Sequence, residues 1–443
     1  MPSNCPHTHL QTDVSSHAAT ANFSRAPISK RIAATTPSGR ETASKPLAGQ
    51  IIPSDEPTTF PAPLVLPDDA LALDPKEPPQ SLRSWVQEKT RNPLTADRKT
   101  IYIAHIPTLT KSVAIMAEWS TPTNIPTSPT IPPPTIPAIA AYLSAFYHPL
   151  PVKILPQAVS FVPWPPGGKR PSPRLTTVGL QIGNTVTQVP TRACPDGIFP
   201  RQLGLNPILD AAIDALPADA HSLVLVVEQD LYEDEDDDFC CGRAYGGSRI
   251  CVVSAARYHP ALDKVGDVDR EHMWPASHCG EFVAALCNGG VAPRRKGKGV
   301  IEGLEREGIW ATPLGAAMAA ARAQSTDGED DDIHGLWLSR VARTVSHELG
   351  HCFTLAHCVY YACVMQSTAG VHEDLRQPPY LCPVCLAKVT RAVGAVAEPG
   401  VDEAQIAIQR YRALREFCEG WLRVGMFAGF HAWLGKRLER LEL

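Results

Sequence analysis

The sequence has no long apolar segments, and their absence excludes one class of protein. No run of about 18 apolar residues occurs in the 443 residues, so no membrane-spanning helix is predicted. The first 25 residues also lack an apolar segment behind basic residues, so a secretory signal is not predicted. We therefore expect an intracellular protein, with the cytoplasm favoured. A nuclear or a mitochondrial location stays open, the latter because residues 14–40 contain basic side chains and no acidic one.

An excess of charge of one sign is absent too. The chain has 41 basic and 46 acidic residues, for a formal net charge of −5. This near balance gives no indication of a nucleic-acid partner or of an anionic membrane surface. The hydrophobic content of 44% is enough for a sizeable core at this length. The composition therefore predicts a folded protein that binds neither nucleic acid nor membrane.

Sustained hydrophobic periodicity is missing from residues 1–80, which are rich in Ser, Thr, Ala and Pro. Such a composition predicts a disordered N-terminal tail. Residues 120–137, STPTNIPTSPTIPPPTIP, predict a surface insertion or a linker, and residues 259–334 predict a longer insertion. Residues 399–443 predict a C-terminal extension of one or two amphipathic helices. The remaining folded domain is predicted to span residues 81–398.

Within this domain, segments typical of buried strands alternate with segments typical of helices. The predicted strands lie in KTIYIAHIP (99–107), PVKILPQAVSF, LTTVGLQIG, HSLVLVVEQDLY (221–232) and SRICVVSAARY (248–258). The predicted helices lie in IPAIAAYLSAFYH and NPILDAAIDAL, the second capped by Asn206 with Pro207 at its first position. This order predicts an α/β fold with a mixed sheet.

Cysteine, by contrast, is abundant. The chain contains 13 cysteines, and in a reducing compartment these are interpreted as metal ligands or buried thiols before disulfides. Five of them lie between Cys352 and Cys385. This clustering favours metal binding.

The segment from Leu336 to Leu355 predicts a buried helix with metal ligands on one face. Its apolar residues recur at steps of three and four: Leu338, Val341, Val345, Leu349 and Cys352. On the opposite face, His347, Glu348 and His351 form the pattern H-E-x-x-H, which places two imidazoles around one Zn²⁺ with a glutamate beside its open position. Two core histidines with satisfied hydrogen bonds are the alternative interpretation.

A third histidine, His357, follows ten residues after His347, which is the spacing of metzincin proteases, and Met365 is placed for their methionine turn. The whole run HELGHCFTLAHCVYYACVMQ…LCPVC resembles the archaemetzincin family. In that family a cysteine follows the third histidine directly, then C-x-M and C-x-x-C, and this chain matches at Cys358, Cys363, Met365, Cys382 and Cys385. The strands IYIAHIP and LVLVVEQDLY resemble the family's first and central core strands.

The resemblance implies a zinc-dependent peptidase with a metzincin-like fold, a twisted mixed sheet with an active-site helix. His347, His351 and His357 would bind the catalytic zinc, and Glu348 would act as general base toward the attacking water. Met365 would form an apolar floor below the metal. The substrate would be a peptide or protein and the enzyme a monomer, while endopeptidase and aminopeptidase action both stay open. The alternative is a non-catalytic, zinc-stabilised protein-binding module.

The four matching cysteines predict a second metal site, a zinc knot. Neighbouring residues cannot easily direct both side chains at one metal, so Cys358 should face away from the zinc bound by His357. Cys358-x4-Cys363 and Cys382-x2-Cys385 then form two ligand pairs with spacings close to those of structural zinc sites made of four cysteines. Two zinc ions per chain are therefore expected. Four buried thiols are the alternative.

Two further expectations concern the surroundings of the catalytic site. Archaemetzincins usually have glycine where this chain has Thr354, and a β-branched residue tolerates positive φ poorly. The sequence therefore predicts a turn of another shape after the helix. If the strand at 248–258 forms the sheet edge beside the site, it would bind an extended peptide by strand addition.

Overall fold

The structure is a computed structural model and describes residues 5, 7–40, 57–123, 125, 131–165, 175–289, 306–324 and 332–441. Within these ranges no helix has the length and apolar character needed to cross a membrane.

The described residues contain the following strands, in chain order: β1 (Thr100–Ile103), β2 (Thr108–Leu109), β3 (Val152–Ile154), β4 (Val159–Pro163), β5 (Thr177–Ile182), β6 (Thr185–Ala193), β7 (Arg201–Gly204), β8 (Ala220–Val227), β9 (Asp230–Tyr232), β10 (Gly242–Tyr245) and β11 (Ile250–Ser254). Their α-helices are α1 (His17–Thr20), α2 (Ile28–Ala33), α3 (Ala70–Leu73), α4 (Leu82–Gln87), α5 (Ile136–Phe146), α6 (Leu205–Asp214), α7 (Gly280–Cys287), α8 (Arg306–Trp310), α9 (Pro313–Gln324), α10 (Ile333–Cys352), α11 (Val371–Asp374), α12 (Pro383–Gly394), α13 (Glu403–Glu419) and α14 (Gly425–Leu441).

The chain divides into two compact units. We call the first the sheet unit; it comprises Thr90–Val265 and Ile333–Thr354. The second, called the helical unit, comprises Met1–Lys89, Gly266–Asp332 and Leu355–Leu443. These units replace the contiguous domain predicted for residues 81–398, because segments distant in sequence pack into the same core.

The sheet unit contains a five-stranded sheet with the order β10-β11-β8-β1-β3. β1, β3, β8 and β11 are parallel, whereas β10 runs antiparallel to β11 at the edge. Every residue of β8 is buried, as expected for a central parallel strand covered on both faces. A second sheet has the order β2-β4-β5-β6-β7-β9 and is also mixed. The predicted α/β class with a mixed sheet is confirmed.

Two local predictions in the sheet unit are wrong. The strand predicted at 248–258, β11, is not a sheet edge, because it pairs with β8 on one side and β10 on the other. β10 is the edge strand instead. Asn206 does not cap α6, since Gly204 occupies the N-cap position. The Asn206 side chain donates to the Glu233 carbonyl and accepts a hydrogen bond from Tyr245.

In the helical unit, the segment predicted to be disordered contains helices and buried side chains. Phe60 packs edge-on against Tyr380 and Trp433, with ring centroids 5.5 Å apart in each pair. The Trp433 indole nitrogen donates to the Thr59 carbonyl at 3.1 Å. The buried apolar residues of this segment follow no helical or strand period and are covered by partners distant in sequence, so they leave no periodic signal. Residues 41–56 of the predicted tail lie outside the described residues.

The predicted insertion and C-terminal extension also contribute to the helical unit. α9, from the insertion, lies against α14, where a Cβ atom at Gly429 would come within 3.1 Å of the Ala317 carbonyl oxygen. Glycine at this position therefore permits close helix approach. The predicted C-terminal helices are present as α13 and α14, and Trp433 and Leu434 of α14 are fully buried. Residues 290–305 and 325–331 of the predicted insertion, and six residues of the predicted surface insertion (124 and 126–130), lie outside the described residues.

Candidate metal centres

Helix α10 supports the first candidate site. Its predicted apolar stripe is fully buried: Leu338, Val341, Val345, Leu349 and Cys352 are each 0% exposed. Within the sheet unit, the Tyr147 hydroxyl donates to the Ser346 carbonyl at 2.7 Å. The Trp337 indole nitrogen donates to the Ala255 carbonyl at 2.8 Å. Packing and these hydrogen bonds fix the helix, and thereby the direction of its opposite face.

That opposite face carries the predicted histidines. The Nε2 atoms of His347 and His351 lie 3.0 Å apart, so both imidazoles point at one position. His357, the third histidine of the motif, is half-buried like the other two. The structure thus brings His347 and His351 together on one face of α10. Two imidazoles directed at one position suit part of the ligand set of a catalytic Zn²⁺, which needs three protein ligands and an accessible fourth position.

His357 is oriented by a residue that sequence reasoning missed. Its Nδ1 lies 2.8 Å from Oε1 of Glu77, whose other oxygen accepts a hydrogen bond from Ser367 at 2.7 Å. Burial alone would raise the pKa of Glu77, but the hydrogen bonds from His357 and Ser367 outweigh it and lower that pKa. A carboxylate on the distal ring nitrogen is the usual support for a metal-binding histidine. No signal pointed to Glu77, because it lies in the segment predicted to be disordered.

Glu348 lies beside the edge strand β10. Its side chain is 8% exposed. A Cβ atom added at Gly242 would lie 3.1 Å from Oε1 of Glu348. Gly242 therefore leaves the space that the carboxylate occupies. Gly246 has a similar role, because a Cβ there would collide with the carbonyl oxygen of His351 at 2.4 Å.

The turn after α10 differs from the prediction. Thr354 itself adopts the left-handed conformation, with φ of 63°, and its amide donates to the His351 carbonyl at 2.8 Å. The turn therefore has the backbone conformation that glycine would adopt, and the strain of the positive φ falls on Thr354. This conformation costs a residue with a Cβ roughly 1–2 kcal/mol.

The second candidate site is the group of four cysteines in the helical unit. Cys358, Cys363, Cys382 and Cys385 are all buried, and their sulfur atoms lie within 4.8 Å of one another. The backbone amides of Met365 and Cys382 both donate to the Cys363 sulfur, at 3.5 and 3.2 Å. Amides directed at sulfur stabilise thiolates, so this group suits a closed structural zinc site.

Electrostatics of the four thiols agree with this interpretation. Hydrogen bonds from Cys363, Cys382 and Cys385 hold the pKa of Cys358 well below its usual range. Burial raises the pKa of Cys363 and of Cys382 well above it. Cys382 is the N-cap of α12, where the helix dipole favours negative charge. A dication at the centre would compensate the thiolates that burial otherwise disfavours.

Large buried side chains pack the loop between the cysteine pairs. Met365 is fully buried, and its carbonyl accepts a hydrogen bond from the Cys358 amide at 2.7 Å. Tyr361 and Tyr380 are also buried, and Tyr380 stacks on Trp433 with ring centroids 4.5 Å apart. These contacts order the loop and would act together with a bound metal.

Comparison with known proteins gives matches in this region. Residues 327–391 match the model of peptidase family M54. Archaemetzincin-2 of Macaca fascicularis is 39% identical over 83 residues, which is 19% of this chain and 20% of that protein. The archaemetzincin of Aeropyrum pernix is 35% identical over 88 residues, 20% of this chain and 45% of that protein.

Longer alignments are weaker. Archaemetzincin-1 of Homo sapiens is 26% identical over 193 residues, 44% of this chain and 31% of that protein. A crystal structure of archaemetzincin from Methanopyrus kandleri aligns at 15% identity and a TM-score of 0.32, covering 68% of this chain and 98% of that one. The matches to the three archaemetzincin sequences thus span from a fifth to under half of those proteins. The resemblance to the archaemetzincin family that the motif predicted is confirmed, and the segment matching peptidase family M54 contains every predicted ligand of both metal sites.

Proposed function

We propose that this protein is a zinc-dependent peptidase. The observation that carries the proposal is the placement of Glu348 between His347 and His351 on α10, where the Nε2 atoms of the two histidines lie 3.0 Å apart. A purely structural zinc has four protein ligands, so it does not require an open coordination position with a glutamate beside it. The match to peptidase family M54 supports the same function.

The three imidazoles would bind one zinc ion. Zn²⁺ bound there supplies the Lewis acidity that makes water nucleophilic near neutral pH. Glu348 then accepts the proton of the attacking water on a carboxylate oxygen and delivers it to the amine nitrogen that leaves. Gly242, which lies beside the Glu348 carboxylate, has no side chain. The carboxylate therefore has room to exchange that proton.

β10 is suited to bind the substrate. It is the edge of its sheet, and Gly242 of this strand lies beside Glu348. An extended peptide that added to this edge as a further strand would run past the glutamate. This geometry requires only backbone pairing and therefore fits peptide and protein substrates in general.

The four-cysteine group would bind a second, structural zinc ion. Its ligands are buried and leave no opening for a substrate, so its effect on catalysis is indirect. It would fix Cys358, which follows His357 directly in the chain. Met365, fully buried, would act as the apolar support of the site.

The variant Glu348→Gln tests the catalytic proposal. Glutamine keeps the shape of the side chain but cannot accept the proton, so hydrolysis of a peptide library should fall by about 10² or more. Zinc content should not change. Glu118→Gln, the same exchange at an exposed position of the sheet unit, is the matched control and should retain full activity. Undiminished hydrolysis in Glu348→Gln would instead favour the zinc-stabilised binding module.

A further inference from the structure

A third group of metal-capable side chains lies in the helical unit and shares no residue with the two predicted sites. Cys5, His7, His272 and Cys279 place their ligand atoms within 4.8 Å of one another. His7, His272 and Cys279 are at most 3% exposed. Cys5 is half-buried. Its sulfur lies 3.4 Å from that of Cys279, and neither cysteine belongs to a disulfide.

In both imidazoles Nδ1 forms a hydrogen bond, whereas Nε2 forms none among the described residues. Nδ1 of His7 lies 2.7 Å from the Cys5 carbonyl oxygen, and Nδ1 of His272 lies 2.7 Å from Oδ2 of Asp269. Because these oxygens can only accept, each Nδ1 carries the hydrogen, which leaves a lone pair on each Nε2. A carbonyl or carboxylate on the distal nitrogen is the usual support of metal-binding histidines.

The two Nε2 atoms are buried and have no hydrogen-bond partner among the residues that the structure describes. An unsatisfied buried polar atom typically costs about 1–3 kcal/mol. Stacking fixes the rings further: the centroids of His7 and His272 are 4.9 Å apart, and His272 lies 4.1 Å from the ring of Phe282. The orientation of both lone pairs is therefore built into the fold, and a metal ion would satisfy them.

The ligand types indicate which ion fits. Two thiolates and two imidazoles form a tetrahedral set that is typical of structural zinc, whereas magnesium and calcium prefer oxygen. Four protein ligands in a largely buried position leave no room for a substrate. We propose that Cys5, His7, His272 and Cys279 bind a structural Zn²⁺, in addition to the metals of the two sites described above.

The position of this group explains what the zinc would do. Residues 9–11 run beside the start of α7, where the amides of Gln11 and Gly280 donate to the carbonyls of His278 and His9 at 2.8 and 2.9 Å. The Glu281 carboxylate accepts hydrogen bonds from the Thr8 amide and from the Cys279 thiol, which would lose this proton on binding zinc. The metal would join these two segments, which are more than 260 residues apart in sequence. Closing so long a loop lowers the entropy of the unfolded chain.

Zinc stoichiometry of the full chain tests the proposal directly. The double variant Cys5→Ser/Cys279→Ser should bind one zinc ion fewer per chain than the wild type, measured by elemental analysis after purification under reducing conditions. Cys287→Ser is the matched control, because this half-buried cysteine packs against the same apolar cluster without belonging to the metal group. It should bind as much zinc as the wild type. Equal zinc content in the double variant and the control overturns the proposal.

A ligand exchange distinguishes metal binding from a loss of folding. His7→Cys keeps a metal-binding side chain and should retain the third zinc, whereas His7→Ala should lose it. If both variants lose the same amount of zinc, or neither loses any, the assignment of His7 is wrong.

Alkylation of the wild-type protein provides a measurement without mutation. Bound zinc should protect Cys5 from iodoacetamide until a strong chelator is added, while Cys287 should react to the same extent in both conditions. Equal labelling of Cys5 with and without chelator would contradict the proposal, as would a Cys5–Cys279 disulfide in protein kept reduced. None of these measurements depends on peptidase activity, so they remain informative if the proposed function fails.

Discussion

The histidine group and the cysteine group show how metal ligands are supported in two different ways. His347 and His351 are half-buried and belong to a helix whose apolar stripe is fully buried. Each of the four cysteines is at most 3% exposed, and Cys358 and Cys363 lie in irregular backbone. The first arrangement leaves a metal accessible on a preformed element. The second would enclose a metal whose binding would help to order the surrounding backbone, so loss of the two metals should have different consequences.

The largest effect on stability is expected for Cys382→Ser. Removal of one ligand leaves three buried thiols without a compensating cation, and the free energy of unfolding of the helical unit should fall by about 3 kcal/mol or more. Zinc content should fall by one ion. The aromatic packing of Tyr380 should preserve part of the local order. Thermal unfolding with zinc quantification measures both effects.

Cys418→Ser is the control for this variant. Cys418 is equally buried but belongs to no metal group among the described residues. Burying its hydroxyl should cost about 1–3 kcal/mol and leave zinc content unchanged. If Cys382→Ser melts no lower than Cys418→Ser and retains its zinc, the four-cysteine site is wrong.

The variant Glu77→Ala extends the comparison to the residue that orients His357. Loss of the hydrogen bond at Nδ1 should weaken zinc binding at the histidine site by about 10-fold to 100-fold. Competition with a chromophoric chelator measures this affinity. Lys76→Ala, at the exposed neighbouring position, should leave it unchanged. An unaltered affinity in Glu77→Ala would mean that the ring of His357 is fixed by other contacts.

His351→Ala should show how little the fold depends on the open site. The variant should lose the zinc of the histidine group and all peptidase activity, yet its free energy of unfolding should change by only about 1 kcal/mol, because the removed side chain is half-buried and α10 is held by its apolar face. Thermal unfolding and elemental analysis test this. A loss as large as that of Cys382→Ser would abolish the distinction between the two sites.

The smallest effect is expected for Thr354→Gly. Glycine removes the strain of the positive φ, about 1–2 kcal/mol, but adds conformational entropy to the unfolded chain, so the net stabilisation should be about 0.5 kcal/mol. Chemical denaturation can measure the difference. Thr121→Gly, at an exposed position with φ of −105°, has no strain to release and should be destabilising instead. Destabilisation of Thr354→Gly would show that the threonine side chain offsets its own strain.

The sequence was most informative where a single element or a short segment specifies the structure. The heptad-like recurrence of Leu338, Val345 and Cys352 predicts helix α10 and its buried face, since helical periodicity is a local property. The same periodicity places His347 beside His351. The four-cysteine group could be predicted because its two ligand pairs are short-range and the loop between them is only 18 residues long.

Only the tertiary structure decided which distant residues support these sites. Glu77 reaches His357 across 280 residues, and Phe60 reaches Trp433 across more than 370, so neither leaves a periodic or motif signal. The same reason hid Cys5 and His272, whose separation in sequence obscures a ligand set that is compact in space. The tertiary structure also decided which strand lies at the edge of the sheet, because strand order depends on pairing between strands and not on the composition of any one strand. The sequence alone determined the metal ligands that local geometry aligns. Packing between remote segments determined which residues support those ligands, because contacts between remote residues leave no pattern within either segment.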